Sequence, residues 1–274
     1  MRNLSRTILI ILVLFGLLDL GPFAQVSPDR RTAGVLVESL TWVEAKDRLT
    51  AATVVVIPLG AESKEHGPHL RLANDWIMAE YFKRRILEVA DVVVAPTVNY
   101  SFYPAFVNYP GSTSLRQDTA RDIIIDICTT LAAHGPKRFY VLNTGVSTQT
   151  PLKAAQALLA LNGILLRFTD ILTVADPAVK AVTEQREGTH ADEIETSMML
   201  YIAPDSVDMT KATKDFPTGT GALTPTKGTV GRYSPSGVYG DATLATRAKG
   251  EKVVEATVAG MLKEIEELRG LRVP

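Results

Sequence analysis

Short apolar runs alternate with stretches of helical spacing along most of this chain, and that alternation sets the first structural expectation. Val54-Val55-Val56-Ile57 holds no polar residue, the composition of a strand buried on both faces. A strand is expected over residues 54–59, broken by Pro58 and Gly60. Residues 91–98 (DVVVAPTV), 138–143 (RFYVLN) and 164–175 read as three further strands. Helical periodicity fills the gaps at residues 76–89, capped by Asn74 or Asp75, at 117–133, and at 151–161. Residues 35–40 read as a short strand or extended segment. Residues 41–48 read as a short helix with Thr41 as its N-cap. A charged helix over residues 244–268 closes the chain. Strands interleaved with helices predict repeated βαβ units, hence an α/β fold whose mainly parallel sheet is covered on both faces.

The polar residues then gather in two places. Glu62, Lys64, Glu65, His66, His69 and Asp75 crowd the segment between the first core strand and its helix. Ligands collected where a buried strand ends are the usual address of a site in an open α/β sheet. Solvation of a surface loop explains such residues equally well in isolation. Here HGPHL ties two of the chain's four histidines to a Gly-Pro turn, and Asp75 follows nine residues after His66. Metal binding or acid–base chemistry therefore stands beside solvation.

The second cluster is GTHADEIETSMML, residues 188–200. Thr189 reads as a helix cap, with Asp192 and Glu193 suiting the positive end of the helix dipole. His190 and Glu195 are about 140° apart on a regular helix, so they converge only if His190 lies at or before the helix start. Asp192 and Glu195 share a face. Met198-Met199-Leu200 anchors the helix in the core.

Three loops complete the pattern. Residues 99–116 carry Tyr100, Phe102, Tyr103, Phe106 and Tyr109, which can wall a pocket or pack over the sheet. The turn after the third strand offers the hydroxyls of Thr144 and Ser147 as substrate contacts or as helix caps. His134, beside a helix terminus, reads as a C-terminal cap. Residues 204–240 are rich in Gly, Pro, Thr and Ser and are expected to fold over the site or build a subunit contact.

Composition narrows the function classes. Of 274 residues, 46% are hydrophobic and 22% charged, which suits one sizeable core. A formal net charge of -1 leaves no basic face for nucleic acid. Cys128 is the one cysteine, so an internal disulfide is ruled out, and its apolar surroundings make it a core residue. Arg2 and Arg6 precede the apolar run 8–18, followed by Gly21-Pro22-Phe23-Ala24. Residues 1–24 thus read as a secretory signal, and 25–274 as a single exported domain, periplasmic or secreted. Pro22 makes a poor cleavage site before the cut after Ala24, which keeps an uncleaved membrane anchor as the alternative.

Several of these motifs, in this order, resemble the creatininase (creatinine amidohydrolase) family. They are PLGAESKEHGPHL with Asp75, YPGSTSL (residues 109–115), the Asn143 turn, HADEIETSMML, and SGVYGDATLATRAKGE (residues 236–251). The resemblance implies a three-layer α/β/α hydrolase of non-peptide C–N bonds, often cyclic amides. It also implies a homo-oligomer, commonly a hexamer, and a divalent metal, zinc first with manganese or iron as alternatives, one or two per subunit. Carried across, it makes His66, Asp75 and Glu195 metal ligands, and His190 a ligand or a proton shuttle. Two departures follow. Lys64 occupies the place of an acid two residues before His66, so Glu65 becomes the replacement carboxylate, as ligand or catalytic acid, with Glu62 a weaker candidate. Gly145 occupies the place of a ligand histidine, which favours one metal over two. Lys64 then either neutralises a carboxylate or binds an anionic substrate. The leading expectation is an exported metal-dependent hydrolase acting on a small molecule. The alternatives are a family member that only binds a ligand in the former pocket, and an assembly protein built on the 204–240 tail.

Overall fold

The computed structural model describes residues 32–273. The expected signal over residues 1–24, and the start of the expected domain at residue 25, lie outside the described residues. No helix among the described residues is long and apolar enough to cross a membrane.

Five parallel strands form the central sheet: β1 (Val35–Leu36), β2 (Val54–Leu59), β3 (Val93–Val94), β4 (Arg138–Asn143) and β5 (Leu165–Phe168), in the order β1-β3-β2-β4-β5. β2 lies in the middle, and its side chains alternate between two cores. Val54 and Val56 pack with Met78, Phe82 and Ile86 of α2 (Asn74–Val89), and with Val254, Met261 and Ile265 of α7 (Arg247–Gly270). Val55, Ile57 and Leu59 face Ile124 and Cys128 of α3 (Gln117–Ala132), and Leu152 and Leu159 of α4 (Gln149–Ala160). Both faces of the strand are dry, which is why its sequence shows no polar alternation. Each such aliphatic side chain contributes roughly 1.5–3 kcal/mol on burial. The result is a three-layer α/β/α fold with a parallel sheet.

Two neighbouring strand ends position the site. Leu59 pairs with Asn143 in register, so the loop after β2 and the turn after β4 leave the sheet side by side. The Thr144 N–H donates to the Leu59 carbonyl across that seam (3.2 Å). The second cluster arrives on α6 (Glu193–Ile202), which packs on α7. Gly250 makes that approach possible, since a Cβ there would fall 1.8 Å from the Ser197 carbonyl oxygen.

Several elements differ from expectation. Asn74 and Asp75 lie inside the first turn of α2, and Ala73 takes the cap position without a side-chain bond. Asp192, not Thr189, caps α6, accepting from the Ile194 and Glu195 N–H groups at 3.0 Å each. The second core strand shrinks to Val93–Val94, the two residues that pair with both β1 and β2, although Val98 still bridges Leu59. The 164–175 segment ends as a strand at Phe168 and turns into a short helix, α5 (Asp176–Val182), opened by Asp176-Pro177. Thr41 does cap α1 (Trp42–Arg48), in a capping box with Glu44.

Candidate metal centre

His66 lies at the bottom of the site, fully buried, with both ring nitrogens committed. Its Nδ1 donates to the Lys64 carbonyl (2.8 Å), a bond that requires the proton on Nδ1. Nε2 then points its lone pair at two carboxylate oxygens, Asp75 Oδ1 at 2.8 Å and Glu195 Oε1 at 3.5 Å. A lone pair facing carboxylate oxygens is repulsive, so this corner requires either a second proton on the ring or a cation between the groups.

His190 repeats the arrangement from the other side. It precedes α6, which meets the condition for convergence with Glu195. Its Nε2 donates to Glu65 Oε2 (3.0 Å), leaving Nδ1 3.9 Å from Glu195 Oε2. Ala191 takes φ +48, a left-handed conformation uncommon outside glycine, and its N–H donates to Glu195 Oε2 (2.6 Å). Asn74 Nδ2 donates to the other Glu195 oxygen (2.9 Å). Ligand atoms of His66, His190 and Glu195 all fall within 4.8 Å of one another, a spacing suited to one divalent ion.

The charge balance favours a cation as well. Glu65, Asp75 and Glu195 bring three carboxylates into this space, and Lys64 brings one ammonium, 2.7 Å from Asp75 Oδ2. That contact is a charge pair without good hydrogen-bond angles, since Oδ2 has no hydrogen-bond partner. Burial opposes ionisation of Asp75, but Lys64 and then His66 outweigh it and hold its carboxyl well below the usual range. Burial likewise pushes Glu65 up, while His190 and the Gly67 N–H together hold it below normal. Burial keeps the His69 imidazole low, hence neutral at pH 7; its Nε2 meets the Thr196 hydroxyl at 2.8 Å, away from the cluster. The His66 imidazole with the Asp75 and Glu195 carboxylates, and the His190 imidazole within reach, form a donor set that fits zinc, manganese or iron with or without His190 as a ligand.

The other expected site residues are placed as follows. Glu65 meets Gly67 N–H with one oxygen and His190 with the other, and it stands outside the triad. Thr144 is buried and its hydroxyl donates toward the Leu59 and Asp75 carbonyls (3.1 and 3.2 Å). The Ser147 hydroxyl donates to the Phe102 carbonyl (3.0 Å). At Gly145 a Cβ would lie 2.9 Å from Thr148 Oγ1, so the turn is filled by the Thr148–Asn143 hydrogen bond (2.6 Å). Glu62 accepts from Asn99 at an exposed position. His134 is exposed, and only its backbone joins the end of α3.

A cavity of about 430 Å³ opens above the cluster, lined by Lys64, Phe106, His190, Glu195, Arg232 and Tyr239 among others. Phe106 stacks on the His190 ring at 4.1 Å between centroids, and the Lys64 ammonium sits 5.0 Å from the Phe106 ring. The aromatic loop therefore both walls the pocket and packs, since Tyr103 is buried beneath it. The 204–240 segment folds over the site. Tyr109 donates to the Ser234 carbonyl (2.7 Å), and Gly237 leaves no room for a Cβ beside Glu65. Asn74, Ala191, Gly237 and Arg232 were not readable as site residues. Asn74 adjoins Asp75, and Ala191 and Gly237 fall inside the motifs HADEIETSMML and SGVYGDATLATRAKGE, while nothing in the sequence points to Arg232.

Comparison with known proteins agrees with this architecture. The family described as Creatininase (Creatinine amidohydrolase) matches residues 38–265. The creatinine amidohydrolase of Pseudomonas putida is 28% identical over 264 residues, covering 85% of this chain and 96% of that protein. The mycofactocin precursor peptide peptidase of Mycolicibacterium smegmatis is 28% identical over 221 residues, covering 78% and 84%. Among solved structures, a mutant creatininase superposes with a TM-score of 0.72 at 25% identity, covering 86% of this chain and 99% of its own. A structure called Creatininase Mn gives 0.71 at 24% identity, covering 87% and 100%. With the matched span taking in the buried His66 corner, the α6 cluster and the sheet that joins them, this chain belongs to the creatininase family.

Proposed function

We propose that the chain is a metal-dependent hydrolase of an amide-type C–N bond in a small molecule, with one divalent ion, zinc first, per subunit. The observation that carries this reading is the His66 corner, where an imidazole with its proton fixed on Nδ1 turns Nε2 toward two carboxylates. His66, Glu195 and Asp75 would hold the ion, which supplies polarisation of a carbonyl and a water of lowered pKa.

The remaining roles belong to the chain itself. His190 lines the cavity and His66 does not, so of the two imidazoles His190 is the one that meets substrate. Nδ1 of His190 takes a proton from the attacking side and returns it to the departing nitrogen. Glu65, bonded at Nε2, stabilises the imidazolium formed between those transfers. Lys64 serves as a fixed positive charge on Asp75, in the place where a second cation would otherwise be needed. Phe106 excludes water from one face of His190. Names among the relatives, an Mn creatininase and a Zn-Zn form of another, support a divalent ion, while Lys64 and Gly145 support one ion here over two. Export through residues 1–24 and a homo-oligomeric state belong to the same proposal.

The test combines elemental analysis with turnover of a panel of cyclic and linear amides. Wild type is expected to retain about one equivalent of metal, His66→Ala none, and His190→Ala about one with turnover lowered at least ~100-fold. Metal lost equally from His190→Ala would make His190 a ligand. No retained metal under zinc, manganese or iron loading would overturn the hydrolase reading and favour a protein that only binds its ligand.

A further inference from the structure

The cavity wall contains a charge that the chemistry described so far leaves unused. Lys64 is paired with Asp75 at 2.7 Å, and Arg186 with Glu187 at 2.9 Å. Asp192 is occupied as the cap of α6 and by Gln185. Arg232, on the short strand Arg232–Tyr233, also lines the cavity, but its guanidinium is held by groups without negative charge. One Nη donates to the Pro217 carbonyl (2.6 Å), and the guanidinium lies 4.7 Å from the Tyr239 ring centroid. Its Nε is buried and has no hydrogen-bond partner among the described residues. A buried donor without a partner costs about 1–3 kcal/mol, and more when charged, and with one Nη bond to a carbonyl as its sole hydrogen bond among the described residues this guanidinium is left short of acceptors where it borders the cavity.

Arg232 is also tied to the candidate metal centre. Tyr239, on which it stacks, bridges His190 through backbone bonds in both directions, Tyr239 N–H to the His190 carbonyl (2.9 Å) and His190 N–H to the Tyr239 carbonyl (3.3 Å). The guanidinium and the His190 imidazole thus line the same cavity and are joined through Tyr239. Guanidinium binds carboxylate through a planar fork of N–H groups and stacks on aromatic rings while doing so.

We infer that Arg232 is the receptor for a carboxylate on the substrate, so the amide hydrolysed at His190 and Glu195 carries a free carboxylate remote from the scissile bond. This rests on the hydrolase reading above for its second half, while the anion receptor stands on Arg232 alone. Arg232 would determine specificity and would take no part in bond breaking.

The experiment uses the zinc-loaded full chain and a panel of N-acyl amino acids and cyclic amides such as 5-oxoproline, each offered as the free acid and as its primary amide. Calorimetric affinities are compared for wild type, Arg232→Gln and Arg232→Lys. Free acids are expected to bind wild type roughly tenfold or more tightly than the matched amides, an advantage abolished in Arg232→Gln and partly kept in Arg232→Lys. Circular dichroism and melting confirm that the variants fold. Should Arg232→Gln unfold, the wild-type acid-to-amide ratio and the Arg232→Lys ratio decide the matter. A panel in which free acids show no advantage in wild type, or an advantage that survives Arg232→Gln, overturns the inference. Turnover is scored separately. Acid-selective binding without turnover of any compound keeps the receptor and sinks the hydrolase, whereas turnover without acid preference does the reverse.

Discussion

The Lys64 ammonium lies 2.7 Å from Asp75 Oδ2, and both side chains are almost sealed from solvent (6% and 1% exposed). Asp75 faces His66 with its other oxygen, so one carboxylate joins a fixed charge on one side to the candidate metal position on the other.

Lys64→Met is therefore expected to leave Asp75 as a buried charge without its counter-ion, at a cost of about 3–5 kcal/mol in the metal-free protein. Urea unfolding with and without zinc reads the effect. Zinc should recover more stability in Lys64→Met than in wild type. Equal stability of the two metal-free proteins would show that the pair is not what holds Asp75 ionised.

Asn74 donates to Glu195 across 121 residues of chain, and it fixes the rotamer of a proposed ligand without touching the ion. Asn74→Ala should weaken zinc affinity roughly 10–100-fold, the usual loss for a residue that orients a ligand. Competition with a chromophoric chelator measures this. An unchanged affinity would mean that the Ala191 N–H alone orients Glu195.

Gly237 has φ +80, and a Cβ built there falls 2.0 Å from Glu65 Oε1. Gly237→Ala should displace Glu65 from His190 and lower turnover at least ~10-fold while metal content stays near wild type. If metal and turnover fall together, Glu65 belongs among the ligands and its proposed support of His190 fails.

A pH effect is expected away from the site. Burial pushes the Glu264 carboxyl above its ordinary range, against the opposing hydrogen bond from the Tyr140 hydroxyl. The folded state then binds the Glu264 proton more tightly than the unfolded chain. This contribution lowers stability as pH rises from the ordinary value of 4.5 through the raised one. Glu264→Gln removes it, so its melting-temperature gain over wild type should be present at pH 7 and shrink below pH ~4. A gain that does not change with pH would rule out ionisation as its cause.

The succession of strands and helices was legible in the sequence because it is written in local composition, whereas the order of the strands in the sheet came from the structure. Residues 54–59 and 138–143 are strands as read, since continuous β-branched and aromatic runs have no other stable use in a doubly covered sheet. The shortness of β3 and β5 was not legible, because strand length depends on what neighbours offer for pairing. His66, Asp75, His190 and Glu195 could be nominated from residue type, spacing and family resemblance. That His66 exposes Nε2 to carboxylates was decided by the Lys64 carbonyl, and Glu195 is held beside His190 by the Ala191 N–H, offered from a left-handed turn. The charge balance of the pocket lay still further from the sequence. Lys64 could be read as neutralising a carboxylate or as binding substrate, and only the packed structure pairs it with Asp75 and leaves the Arg232 Nε without a partner. Periodicity reports which residues avoid water. Which charges meet depends on how a loop folds back on itself, as at Lys64 and Asp75, and on contacts between distant segments, as at Glu65 and His190, and only the folded chain brings those together.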